Sequence, residues 1–352
     1  MNASFLPPTN KTPLCYSINS PPFNYTPTIA SIHYSAIFST LGFTSNLIAF
    51  IVLVKSFRRV RSGSRSFFLI FLGGLVITDS MGLLVTGTIV VSFYVTHFNW
   101  RQLDPNCHFC NFMGMSMVFY GLCPLLLGAT MAVERFIGIN LPFVRSCSKT
   151  KGRSVSMVLM VWLFAGCIAL LPLIGVGSYH MQMPGSWCFF NISYEGNDKF
   201  FSLIFSLVGL TSITVSFLLN TVSVVTLIKV CCGPARTQRR RDHEVEMMVQ
   251  LILIMVIASI CWCPLLIYIL TDTTDTNKDD TILFYIRMAT CNQIFDPWIY
   301  IMCQGCGLRR VKSLHCKNCV VQRTCPDQTP TARDTLRNLE PDPGPLGIHP
   351  VS

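Results

Sequence analysis

The sequence predicts an all-α fold, a bundle of seven transmembrane helices with the N-terminus outside and the C-terminus in the cytoplasm. Three observations carry that expectation. Of the 352 residues, 51% are hydrophobic and only 12% are charged, too apolar a balance for an ordinary soluble domain. Seven apolar stretches occupy roughly 30–54, 67–94, 109–140, 154–176, 200–229, 247–271 and 281–304, each near the ~20 residues that cross a bilayer as a helix. Lysine and arginine divide unequally between alternate connections. Four lie in the N-terminal tail and the second, fourth and sixth connections, against twenty-one in 55–66, 141–153, 229–246 and after 304. The basic side faces the cytoplasm. Parcelled out in this way, the net charge of +10 points to membrane lipid as a partner and not to nucleic acid.

Residues 1–29 form a polar, proline-bearing outer tail with glycosylation sequons at Asn2, Asn10 and Asn24. No charged segment followed by an apolar core marks a cleaved signal, so the first span is expected to serve as the signal anchor. A further sequon starts at Asn191, in the fourth connection. Span one contains Asn46 and span two contains Asp79, within LVITDSMGLL. An acid at mid-span faces the bundle interior. Two readings stand: a hydrogen-bonded site shared by Asn46, Asp79 and Asn292 or Asp296, and a sodium or proton site coupled to conformational change.

Cys15, Cys107, Cys110 and Cys188 all fall on the oxidising side, an even set able to form two bridges. Zinc at Cys107–Cys110 is the competing reading, and disulfides are preferred because the segment lies outside. No metal site or cofactor is expected. Glu134 and Arg135 end the third span, where an adjacent acid and base could be a simple ion pair.

The last span, ILFYIRMATCNQIFDPWIYIM, is the most polar of the seven. Arg287 lies one to two turns inside its outer end, where a charge costs a few kcal/mol unless it is compensated. Asp296 is nine residues on, about 13 Å along the axis and half a turn out of phase, so each charge needs its own answer. Asn292, Asp296 and Tyr300 share a face beside Pro297, as a polar hinge would. For Arg287 the bland alternatives are snorkelling outward or pairing with an acid of the 272–280 loop.

Residues 305–325 (GCGLRRVKSLHCKNCVVQRTC) form a juxtamembrane basic, cysteine-rich segment, a candidate for a short helix on the inner leaflet despite Gly305 and Gly307. Palmitoylation is preferred there over zinc at Cys316 and Cys319. Residues 326–352 are expected to be disordered.

No nucleophile–base pattern is present, which excludes the common hydrolase classes. An organic-anion transporter is the alternative from another class, since Asp79, Arg287 and Asp296 could line a path. The chain shows no repeated half, as transporters often do.

Asn46, Asp79, Glu134–Arg135, Trp162, Cys261–Trp262–Cys263–Pro264 and Asp296–Pro297–Trp298–Ile299–Tyr300 fall in order on spans one, two, three, four, six and seven. This series resembles the rhodopsin-like G-protein-coupled receptors. MVFYGLCPLLLGATMAVERFIGI, GSWCF and IRMATCNQIFDPWIYI narrow the resemblance to the prostanoid receptors, which carry E-R for D-R-Y and D-P-W for N-P. Segments 83–92, 172–179, 184–189, 216–227 and 244–248 are most similar to one subtype of that family. Three features depart from common patterns. Cys291 stands where the family usually has tryptophan, Tyr94 resembles the carboxylate-holding tyrosine of the other subtypes, and the fifth span lacks the proline common in the wider class.

The resemblance implies a plasma-membrane receptor for a prostanoid carboxylic acid that works through a heterotrimeric G protein of the Gq class. It implies that Arg287 anchors the carboxylate, with Thr86, Tyr94, Ser186 and Trp187 around the ligand. Glu134, Arg135, Trp262, Pro264, Asp296, Pro297 and Tyr300 would form the switch, and Cys110 would join Cys188 while Cys15 joins Cys107.

Overall fold

The computed structural model describes residues 14–16, 32–59, 64–140, 151–183, 185–192, 196–231, 238–271 and 278–323. The sequons at Asn2, Asn10 and Asn24, the loop 272–277 and the tail from 324 lie outside them. The order is α1 (Ile32–Arg59), α2 (Ser64–Thr96), a short α3 (Trp100–Leu103), α4 (His108–Asn140) and α5 (Lys151–Leu170). A hairpin of β1 (Tyr179–Gln182) and β2 (Trp187–Phe190) follows, then α6 (Gly196–Cys231), α7 (Gln238–Thr271) and α8 (Lys278–Arg323). The chain divides into two units after Gln304. In the second, residues 305–323 are helical.

Among the described residues, α1, α2, α4, α5, α6 and α7 are long and apolar enough to cross a membrane. Span seven is the part of α8 before residue 305, and Arg287, Asn292, Gln293 and Asp296 dilute its apolarity. Several serine and threonine hydroxyls bond one turn back along their own helix. Thr86 Oγ1 donates to the Gly82 carbonyl at 2.6 Å, and Thr130 Oγ1 donates to that of Leu126 at 2.8 Å.

The helices pack through small residues and a few polar ties. A β-carbon at Gly74 would sit 2.9 Å from Val158 of α5, so α2 and α5 approach closely there. Nearby, Trp162 Nε1 donates to Thr78 Oγ1 at 3.1 Å. Asn46 Nδ2 donates to the Gln293 carbonyl at 2.8 Å, fastening α1 to α8. Thr226 Oγ1 donates to Asn140 Oδ1 at 2.7 Å between α6 and α4.

One end of the bundle is capped. Disulfides join Cys15 to Cys107 and Cys110 to Cys188. The Asp104 carboxylate accepts from the amides of His108, Phe109 and Cys110 at 2.8–2.9 Å, closing the start of α4, where free N–H groups and the helix dipole favour an acid. Tyr16 donates to the carbonyls of Trp100 and Asp104. The hairpin is antiparallel with Met181 opposite Cys188, and all four residues of β2 are buried. Tyr179 fills the space above Gly114 and donates to the Ala169 carbonyl at 2.7 Å. The hairpin is therefore pinned to both α4 and α5.

Candidate functional site

Below β2 lies a cavity bordered by Met117, Phe189, Phe205, Trp262 and Ile286, with Gly82, Thr86, Tyr120, Ala289, Thr290 and Gln293 completing its wall. Positions 286, 289, 290 and 293 repeat at i, i+3, i+4 and i+7, the face one helix turns to a neighbour. The wall is mostly apolar with a few polar groups, the usual make-up of a small-molecule site. Phe189 of β2 meets Phe205 of α6 edge to face at 6.0 Å on this wall, and Phe190 lies tilted against the same ring at 5.1 Å.

Arg287 stands at the border of this wall and not within it. Its guanidinium carbon lies 4.3 Å from the centre of the Tyr34 ring, and Tyr34 stacks in turn on Phe38 at 5.3 Å. Tyr94 is a second tyrosine in its neighbourhood. Among the described residues no carboxylate pairs with it. Tyr94 reaches Ser186 Oγ at 3.5 Å. Trp187 is buried, and its indole nitrogen donates to the Met183 carbonyl at 2.9 Å, so that polar group serves the hairpin. Of the ligand residues expected from sequence, Thr86 lines the cavity, while Tyr94, Ser186 and Arg287 gather above it. Tyr34, Tyr120 and Gln293 were not anticipated.

The polar core differs from the shared site expected from sequence. Asn46 bonds the backbone of Gln293, and Asn292 Nδ2 donates to Asp296 Oδ2 at 3.0 Å within α8. Both Asp79 carboxylate oxygens are buried without a hydrogen bond among the described residues. Sequence placed these residues on inward faces, but the rotations of α1, α2 and α8 decide who meets whom. Asn292 and Asp296 border a second cavity with Ser216 and Asn220, and Tyr300 is buried near the far end.

At that far end Arg135 is 2% exposed. Its Nε lies 3.8 Å from Glu134 Oε2, its Nη2 is 3.3 Å from Met247 Sδ, and its guanidinium sits over the Phe68 ring at 4.9 Å. These contacts gather α2, α4 and α7 around one cation. α7 continues through Pro264 and α8 through Pro297. Trp262 packs against Gly121, where a β-carbon would lie 2.8 Å from the indole.

In the hairpin, Ser178 Oγ donates to Asp198 Oδ1 and lies 2.8 Å from His180 Nε2. With the serine hydrogen spent on Asp198, Nε2 of His180 must donate. Burial holds the His180 pKa below its ordinary value, with Asp198 opposing. Asn191 Nδ2, the atom a glycan would occupy, donates to Asp198 Oδ2 at 2.8 Å.

The seven-transmembrane receptor model of the rhodopsin family matches residues 45–300. Rat thromboxane A2 receptor is 49% identical over 295 residues, covering 80% of this chain and 86% of that receptor. The human thromboxane A2 receptor is 49% identical over 301 residues, covering 81% and 86%. The chain belongs to the prostanoid branch of the rhodopsin family. Rat prostaglandin F2-alpha receptor is 40% identical over 298 residues, covering 83% and 81%. Squid rhodopsin shares the fold at a TM-score of 0.65 and 17% identity, over 77% of this chain and 76% of that one. As a prostanoid G-protein-coupled receptor the protein is a multi-pass membrane protein and not an enzyme.

Proposed function

We propose that this prostanoid receptor binds thromboxane A2 and its endoperoxide precursor from the outer side and signals through Gq-class G proteins to phospholipase C and calcium. The observation that carries the reading is Arg287, a half-buried cation beside an apolar cavity, stacked on a tyrosine and without a carboxylate partner among the described residues. A planar guanidinium binds a carboxylate through two hydrogen bonds, most strongly where solvent is scarce. The ligand supplies the missing anion, with Tyr94 and Ser186 beside it and the hydrocarbon chains in the cavity. The stretches most similar to one subtype point to thromboxane receptors, and the near-half identity to them supports the same choice.

The cavity floor is Trp262. A ligand that shifts this indole acts on α7 two residues from Pro264, where a missing backbone hydrogen bond lowers the cost of bending. Swinging α7 withdraws Met247 from Arg135 and frees the arginine from Glu134 for a G protein. The capped end of the bundle faces outside in this reading, as the distribution of lysine and arginine supports.

The test is nucleotide exchange on a purified Gq-class protein, with the receptor in vesicles and a panel of prostanoid acids. Exchange strongest with a stable thromboxane mimetic is expected. Exchange driven best by a prostaglandin overturns the subtype, and ligand uptake into sealed vesicles without exchange overturns the receptor reading.

A further inference from the structure

Two polar side chains at the bottom of the cavity have no partner among the described residues. Gln293 is 6% exposed and lines the cavity, yet its carboxamide makes no hydrogen bond there. The Tyr120 hydroxyl, on the same wall, makes none either. Both side chains pack on Gly82, where an added β-carbon would sit 3.0 Å from Gln293 Nε2 and from Tyr120 Cβ. The carboxamide therefore borders the cavity with its hydrogen-bonding capacity unspent, and that marks a place for a ligand atom. The other hydroxyls on the wall have already spent their hydrogens. Thr86 donates to the Gly82 carbonyl and Thr290 to that of Arg287. The side-chain donors on the wall with hydrogens still unspent are therefore those of Gln293 and Tyr120.

We propose that Gln293 and Tyr120 form a second polar subsite that donates hydrogen bonds to an ether or peroxide oxygen on the ring of the bound acid. The inference rests on the proposed function and adds what that reading lacks, a group that reads the middle of the ligand. Gln293 lies six residues beyond Arg287, about 9 Å along α8, which leaves an acyl chain to run from carboxylate to ring. The close fit at Gly82 holds the Gln293 carboxamide and the base of the Tyr120 side chain, and apolar neighbours such as Met117 and Ile286 offer a wrongly placed ring oxygen nothing to bind.

The test compares a prostanoid acid carrying ring oxygens with its carbocyclic analogue, in which each ring oxygen is replaced by CH2. Both are measured by competition binding on wild type, Gln293→Leu and Tyr120→Phe. Gln293→Leu is expected to weaken the oxygen-bearing acid about fivefold to tenfold, the ratio for one neutral hydrogen bond lost in a buried site, and the carbocycle less than twofold. Tyr120→Phe, which removes a single oxygen, is expected to act in the same direction and carries the test should Gln293→Leu fail to reach the membrane. Equal weakening of both ligands, or of neither, overturns the subsite. Wild type that binds neither acid overturns the proposed function instead. Wild type that binds both, while Arg287→Gln loses both, leaves that function intact, so that the subsite then stands or falls on the Gln293 and Tyr120 variants alone.

Discussion

Replacing Arg287 by glutamine removes a charge and leaves a side chain of similar reach. Truncating one partner of a desolvated charge pair costs about 2–5 kcal/mol. Arg287 is only half-buried, and Tyr34, which covers it, is 39% exposed, so solvent screening puts the cost near the lower end. About 2–3 kcal/mol corresponds to a loss of roughly 30- to 150-fold in affinity for a free acid. A methyl ester carries no full charge and should lose far less. Arg287→Lys keeps the charge but gives up the fork and the flat stacking surface, so it should fall between. Tyr34→Leu removes a cation–π contact of about 0.5–1 kcal/mol at a part-exposed site, a twofold to fivefold loss confined to acids. The assay is competition binding of acid and ester on membranes from all four receptors. Should wild type bind acid and ester equally, or Arg287→Gln weaken both by one factor, the carboxylate is not held at Arg287.

Arg135→Ala should abolish nucleotide exchange while leaving antagonist binding within about twofold at equal surface expression, since the site lies at the end opposite the cavity; full exchange would refute its role. Gly121→Val should overpack the Trp262 contact and destabilise the detergent-solubilised receptor by about 1–3 kcal/mol, seen as a lower melting temperature; an unchanged one would mean the indole relaxes freely. For His180 the folded pKa is depressed, so the neutral ring belongs to the folded hairpin. As pH falls through the ordinary value of about 6.5, the unfolded loop protonates first, and stability present above that pH is lost below it. Antagonist dissociation should therefore quicken between pH 7.5 and 5.5 in wild type and stay flatter in His180→Gln; equal pH dependence in both would clear His180.

The membrane class, the span order and the bridges were legible because they depend on composition, on charge between spans, or on motifs that carry a family resemblance. Inward faces were legible too: Asn46, Asp79, Asn292 and Asp296 are all buried. Their partners were not, because pairing depends on the rotation of each helix against its neighbours. Asp79 thus stands without the hydrogen bonds expected from Asn46. Tyr120 and Gln293 escaped notice for the same reason: the spacing of 286, 289, 290 and 293 reveals a face but not what it faces. The hairpin had a local signal in the Pro184–Gly185 dipeptide between YHMQ and WCFF, and Gly185 adopts φ 88° there.

The Asp104 cap has a mechanical consequence. Three amides gripped by one carboxylate, beside two bridged cysteines, fix α4 against turning about its own axis at that end. From Cys110 the helix runs about 37 Å to Arg135, a shaft clamped at its head. α4 is then the stator of the molecule, the fixed part against which a ligand-driven motion would have to work. Loosening the clamp with Asp104→Ala would let the shaft twist under load, so the force of a bound ligand would dissipate in rotation of α4 before reaching its tip.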